Sequence, residues 1–300
     1  MRPAWSIIVF TTLAGAGQGL FLALFAAELA GRAARHFLFI GSALAALLCI
    51  GGLAASFFHL GRPGRSWRSV AMWRTSWLSR EVIVLPAFIA TLGGYSAAQL
   101  FSLHDWAHAL GLVATLLCVA LFVCTAMIYA CLKFLQEWHS PLTFVNFFAL
   151  GCASGATAAA ALAAALQPAL APAFTALALA LGLIAYALRV GTFVRNARLH
   201  PRSTTQTAIG ARDPRVRQVS QGQMGGSYNT REFFHGRSPA TVTAVRIAFL
   251  VLGFPLPALL LYVDQPGMAF LFQYAGLLAE RWLFFADARH PQNLYYQAVA

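Results

Sequence analysis

Long apolar runs alternate with polar breaks along the chain, and within the runs apolar residues are continuous, with no period-two alternation. Backbone in lipid must satisfy its own hydrogen bonds, so a spanning segment is a helix or part of a closed barrel. Runs without alternation exclude the barrel. About 20 mostly apolar residues cross a bilayer as a helix. Runs of that length lie at about 6–29, 36–60, 81–103, 108–132, 142–166, 170–194, 240–263 and 267–288. The pattern predicts an all-α integral membrane protein, a bundle of eight transmembrane helices in a single polytopic domain over 1–300. Arg2, the run from Ile7 and Ala14-Gly15-Ala16 have the outline of a signal peptide. The run continues to about Leu29, so it reads as an uncleaved first helix.

Composition fits this picture. The chain is 59% hydrophobic and 10% charged, against roughly 25% charged in soluble domains. The net charge of +12 reads as arginine-rich cytoplasmic loops, with no nucleic-acid partner expected. With the N-terminus inside, the inner face holds Arg2, Arg62, Arg65, Arg68, Arg74, Arg80, Lys133, eight arginines between 195 and 239, and Arg289. The other face has only Arg32 and Arg35. That asymmetry predicts an N-in/C-in chain in a bacterial inner (cytoplasmic) membrane. The segments 61–80 and 195–239 become cytoplasmic loops and a candidate docking surface. The second, at about 45 residues, is long for a mere connection. The alternative is that both are solvated loops whose charge only sets topology.

Ionisable residues inside a bilayer are costly and are functional candidates. His59, Glu81, Arg189, Arg246, Glu280, Arg281 and Asp287 all fall in the cytoplasmic half, with Gln18 the polar exception near mid-membrane. Glu28 lies at the outer end, where water would solvate it. Arg80, Arg189 and Asp287 have a plainer reading as snorkelling side chains, and His59 as a helix-end residue bonded to a carbonyl. Glu280 and Arg281 point about 100° apart on a helix, which predicts that they do not pair. Glu280 needs a partner from another helix, and Arg246 lies at a compatible depth. A structural ion pair and a ligand role both remain open for Glu280. Glu280, Phe284 and Asp287 share one face that suits a flat redox-active headgroup. Cys49, Cys118, Cys124, Cys131 and Cys152 form no CxxC pair, so no iron–sulfur cluster, metal site or disulfide is expected. Haem needs a depth-matched pair of axial ligands, commonly histidines. Only His59 lies inside the bilayer, so no haem is expected.

The stretch His59-Leu60-Gly61-Arg62-Pro63, with Arg65, Trp67 and Ser79-Arg80-Glu81, resembles the DmsC family. Its members are membrane anchor subunits of molybdopterin oxidoreductases such as dimethyl sulfoxide reductase. The family's His-Leu-Gly-x-Pro motif is followed 22 residues later by a Glu, and His59 and Glu81 keep that spacing. The resemblance assigns this pair to quinone chemistry. Two further stretches look like the SoeC-type anchors of cytoplasmic sulfite dehydrogenases. They are Gly225–Gly236, and Glu280–Phe285 with His290–Tyr296. The resemblance implies two cytoplasmic partners, an iron–sulfur (ferredoxin-like) subunit and a molybdopterin catalytic subunit, and a quinone (ubiquinone or menaquinone) as electron carrier. Electrons would pass from the partner's terminal cluster to quinone if sulfite is oxidised, and the other way if a sulfoxide is reduced.

The expected chemistry follows from residue types. His59 would bond one quinone carbonyl and carry a proton, and Glu81 would relay a second. Arg246 or Arg281 would polarise the other carbonyl or stabilise negative charge on the ring, with Glu280 beside them. A secondary transporter fits the helix count, but it would place its charges near the midplane on broken helices with repeat symmetry. A purely structural anchor shares every feature except a competent quinone pocket.

Overall fold

The computed structural model describes all residues except 59, 201, 214, 217, 218, 220–231 and 295–300. His59, Arg217, Arg231, Gly225 to Thr230, Tyr295 and Tyr296 therefore lie outside the described residues. Helices form the long elements and no strand occurs among the described residues. They are α1 (Trp5–Leu29), α2 (Arg35–Phe57), α3 (Trp77–Leu100), α4 (His104–Ala130), α5 (Pro141–Leu166), α6 (Ala171–Ala197), the short α7 (Thr205–Ile209), α8 (Pro239–Gly253), α9 (Pro255–Tyr262) and α10 (Pro266–Ala286). A 3-10 helix, Pro63–Met72, links α2 to α3.

Among the described residues, seven helices are long and apolar enough to cross a membrane, with α8 and α9 counted as one. The last predicted span, α10, is outside that group. It has 21 residues, and Gln273, Glu280 and Arg281 dilute its hydropathy. The run predicted at 240–263 is broken at Phe254, because Pro255 and Pro257 begin α9 and Pro255 has no N–H to continue the ladder. The third helix starts earlier than its apolar run. Ser76 caps it by accepting from the Ser79 N–H, so Glu81 sits in the second turn.

Helices α1 and α5 form the centre of the bundle and pack on one another. Their small residues permit this closeness. A Cβ added at Gly19 would run into the Gly151 carbonyl, and one at Gly155 would run into the backbone of Gly19 and Leu20. Such backbone contact is what small residues provide in membrane bundles, where helices gain nothing by escaping water. Gly155→Ala is therefore expected to lower stability by about 3 kcal/mol, the upper end of overpacking costs. Gly182→Ala on α6, where a Cβ meets nothing within 4 Å, is the silent control. Thermal unfolding in detergent compares them.

Contacts fix which helix ends share a face. The starts of α1, α3, α5 and α8 meet the ends of α4, α6 and α10 through Glu81–Thr125, Arg195 to the Gln136 carbonyl, Trp138 to the Phe284 carbonyl, and Arg2 to the Glu232 carbonyl. That face carries both long connections. On the opposite face Glu28 is a packed acceptor rather than a solvated end group, receiving Tyr95 at 2.5 Å and Gln99 at 2.6 Å.

Candidate functional site

Glu81 is buried between α3 and α4, where the Thr125 hydroxyl donates to its Oε1. One turn further along α4, Tyr129 is packed by Trp138, Phe147, Phe284 and Phe285, with ring centroids 5.1–5.8 Å apart. Trp138 also stacks on Phe284 at 5.1 Å and donates its indole N–H to the Phe284 carbonyl at 2.8 Å. The Phe284 face, expected to meet a flat headgroup, is thus filled by Trp138 of the α4–α5 connection.

Behind this aromatic layer lies a buried charge cluster. Arg189 of α6 is 2.9 Å from Glu280, and Arg281 is 3.3 Å from the other Glu280 oxygen. All three side chains are at most 5% exposed. Two expectations are corrected here. Glu280 does pair with its sequence neighbour, because the 100° offset governs the Cβ direction and not the reach of a long arginine. Its cross-helix partner is Arg189 and not Arg246. Arg189 is accordingly buried and does not snorkel. Arg246 instead pairs with Asp287 at 3.0 Å, where both are partly exposed. The Arg281 guanidinium lies 3.5 Å from the centre of the Phe147 ring, a cation–π contact strengthened by burial.

The cluster holds two arginines and one carboxylate, so it leaves one positive charge in excess. Both Glu280 contacts are close enough for ion pairs but lack hydrogen-bond angles, and the carboxylate oxygens have no hydrogen-bond partner among the described residues. Asn146 donates to Thr192 at 2.8 Å and to the Leu142 carbonyl at 2.7 Å, leaving its buried Oδ1 without a partner among them. Sequence alone does not single out Thr125, Tyr129, Asn146 or Thr192. The available signal is a polar side chain interrupting an apolar run at the depth of Glu81 and Glu280.

At the loop-bearing face the cluster gives way to a vestibule of about 640 Å³. Arg246, Asp287, Arg202, Arg289 and His290 line it. His290 stacks on Phe233 at 4.2 Å, and burial, aided by the nearby positive amino terminus, pushes its pKa below the usual histidine value. The connection 61–80 presents Arg62, Arg65, Arg68 and Arg74 to the outside, with Trp67, Met72 and Trp73 exposed among them. All five cysteines are free.

Residues 1–286 match the family model described as DMSO reductase anchor subunit (DmsC). The chain is also 51% identical, over 325 aligned positions covering 100% of both chains, to a sulfite dehydrogenase subunit of Allochromatium vinosum. On the match over 1–286 and the identity over the full chain, the protein belongs to the DmsC family of membrane anchor subunits of oxidoreductase complexes.

Proposed function

We propose that this chain is the quinone-reactive membrane subunit of a three-subunit oxidoreductase, oriented with both termini and both long loops in the bacterial cytoplasm and with α10 as an eighth span. In this reading a cytoplasmic iron–sulfur subunit, fed by a molybdopterin subunit that oxidises sulfite, delivers electrons to quinone in the inner half of the bilayer. The 51% identity to a sulfite dehydrogenase subunit supports that direction. The observation that carries the reading is the buried Glu81–Thr125 pair, held close to the face with the large loops.

A reducible quinone supplies a carrier for two electrons and two protons. The residues present fit one: a buried carboxylate with a hydroxyl donor and a positive cluster behind an aromatic wall. His59 and Glu81 would hold the headgroup oxygens, and Glu81 would be the group that supplies a proton to one of them. Arg281, with the excess charge it shares with Arg189, favours negative charge arriving on the ring side of Phe147. Glu280 keeps the two arginines in place. Arg246 stays with Asp287 at the vestibule rim and contributes positive potential there.

The exposed arginines and tryptophans of 61–80, with the segment 195–239, form the docking surface for the iron–sulfur subunit. Deleting 222–236 is expected to release the catalytic subunits into the soluble fraction with dye-linked activity intact. Fractionation checks this; catalytic subunits that stay on the membrane would assign docking elsewhere.

A further inference from the structure

Three cavities, the vestibule the outermost, share lining residues inward as far as Thr125, whose hydroxyl donates to Glu81. The innermost, about 20 Å³, is bounded by Thr11, Thr12, Gln18, Thr125, Ser154 and Arg281. The second, also about 20 Å³, meets it at Arg281 and Phe147 and is bounded by Asn146, Arg189, Thr192 and Glu280. It opens at Glu137, Asn196 and Asp287, which also line the 640 Å³ vestibule. Each small cavity has room for one water, since about 10–15 Å³ suffices.

Apolar residues such as Phe122, Phe147 and Leu150 share the lining with polar groups that can hold a water. Thr11, Thr12 and Ser154 each donate to a carbonyl of their own helix, leaving hydroxyl lone pairs as acceptors. The Asn146 Oδ1 and both Glu280 oxygens are buried without a hydrogen-bond donor among the described residues, a cost of about 1–3 kcal/mol per group that a bridging water removes. An ion cluster that served packing alone would need neither the free acceptors nor a cavity on each side of Arg281.

We propose that these cavities form a proton route between the vestibule and Glu81, with Glu280, Asn146 and Thr125 as its fixed stations. The proposal rests on the reading of Glu81 as the group that protonates quinone. When Glu81 gives its proton to a ring oxygen, the Thr125 hydroxyl passes its hydrogen-bonded proton to Oε1. Thr125 takes a proton in turn from water in the inner cavity. The hydroxide so left is reprotonated by a proton that comes from the vestibule through Glu280 and the water held by Asn146, past Arg281. One proton enters for each electron received by the ring, so no charge accumulates. The arginines keep their protons and orient the water on either side. Asn146 is a positioning residue, acting through water.

The test is Asn146→Leu in the assembled complex in membranes. Turnover with sulfite and quinone should fall about tenfold or more, in keeping with lost proton transfer, with the KM for quinone and dye-linked turnover unchanged. The solvent deuterium isotope effect on quinone-linked turnover should rise, and a small membrane-permeant weak acid should restore rate. Asn146→Asp, which keeps the acceptor, should stay near wild type. If Asn146→Leu does not assemble, Ser154→Val, which fills the inner cavity, takes the same readouts. Wild-type rate and isotope effect in these variants, or a loss of rate that neither alters the isotope effect nor responds to weak acid, overturns the route. Glu81→Gln separates the layers. If it abolishes quinone turnover while Asn146→Leu is silent, the site stands and the route falls. If Glu81→Gln is also silent, the site reading itself has failed.

Discussion

Glu81→Gln is expected to lower quinone-linked turnover by about 10²–10⁴-fold, the usual scale of lost general acid–base catalysis, while dye-linked activity of the partner subunits persists. The substitution keeps the shape of the side chain and one oxygen for Thr125 to bond. What is removed is the ionisable carboxyl proton. Because the side chain is 4% exposed, bulk water has no direct access to take over its role. His59→Ala should have the same outcome through loss of a headgroup contact, with the complex still assembled. Turnover in membranes with sulfite and quinone, measured beside turnover with a soluble dye, is the check. Normal quinone-linked rates in both variants would show that these residues do not form the site.

A second large effect is expected from Glu280→Ala. It leaves Arg189 and Arg281 buried together without their shared carboxylate, and breaking a buried pair from one side costs about 3–5 kcal/mol. Arg189→Met should cost less. It removes the excess positive charge and leaves the Glu280–Arg281 pair neutral, and the methionine fills part of the vacated space. Thermal unfolding of the two variants in detergent gives the order. Equal losses would mean that charge balance does not govern this part of the bundle.

Much of the fold is readable from periodicity. The first run predicts a helix over 6–29 and α1 spans Trp5–Leu29; the fifth predicts 142–166 and α5 spans Pro141–Leu166. Apolar length reports where a chain enters and leaves lipid, and capping residues such as Ser76 and Ser140 sharpen the ends. Depth is readable too, since Glu81, Glu280 and the arginines fall near the loop-bearing face. What sequence does not encode is azimuth, the direction each residue faces around its helix and the neighbour it meets. Arg189 and Arg246 lie at similar depth on helices near α10, and only the packing decides that Arg189 meets Glu280 while Arg246 meets Asp287. Local geometry misleads at Arg281, where a long flexible side chain folds back on its neighbour. Trp138 is hidden because it comes from a connection, outside any periodic segment. Its stacking on Phe284 depends on how the α4–α5 turn returns over the end of α10.

On the proposed function, quinone binds beside Glu81. A quinone-binding titration of the purified three-subunit complex, wild type against a His59→Ala/Glu81→Ala variant, tests it most directly. One saturable quinone per wild-type complex is expected, with loss of that site in the variant and all three subunits still present. Saturable binding that survives both substitutions, or no saturable binding in the wild type, would contradict it.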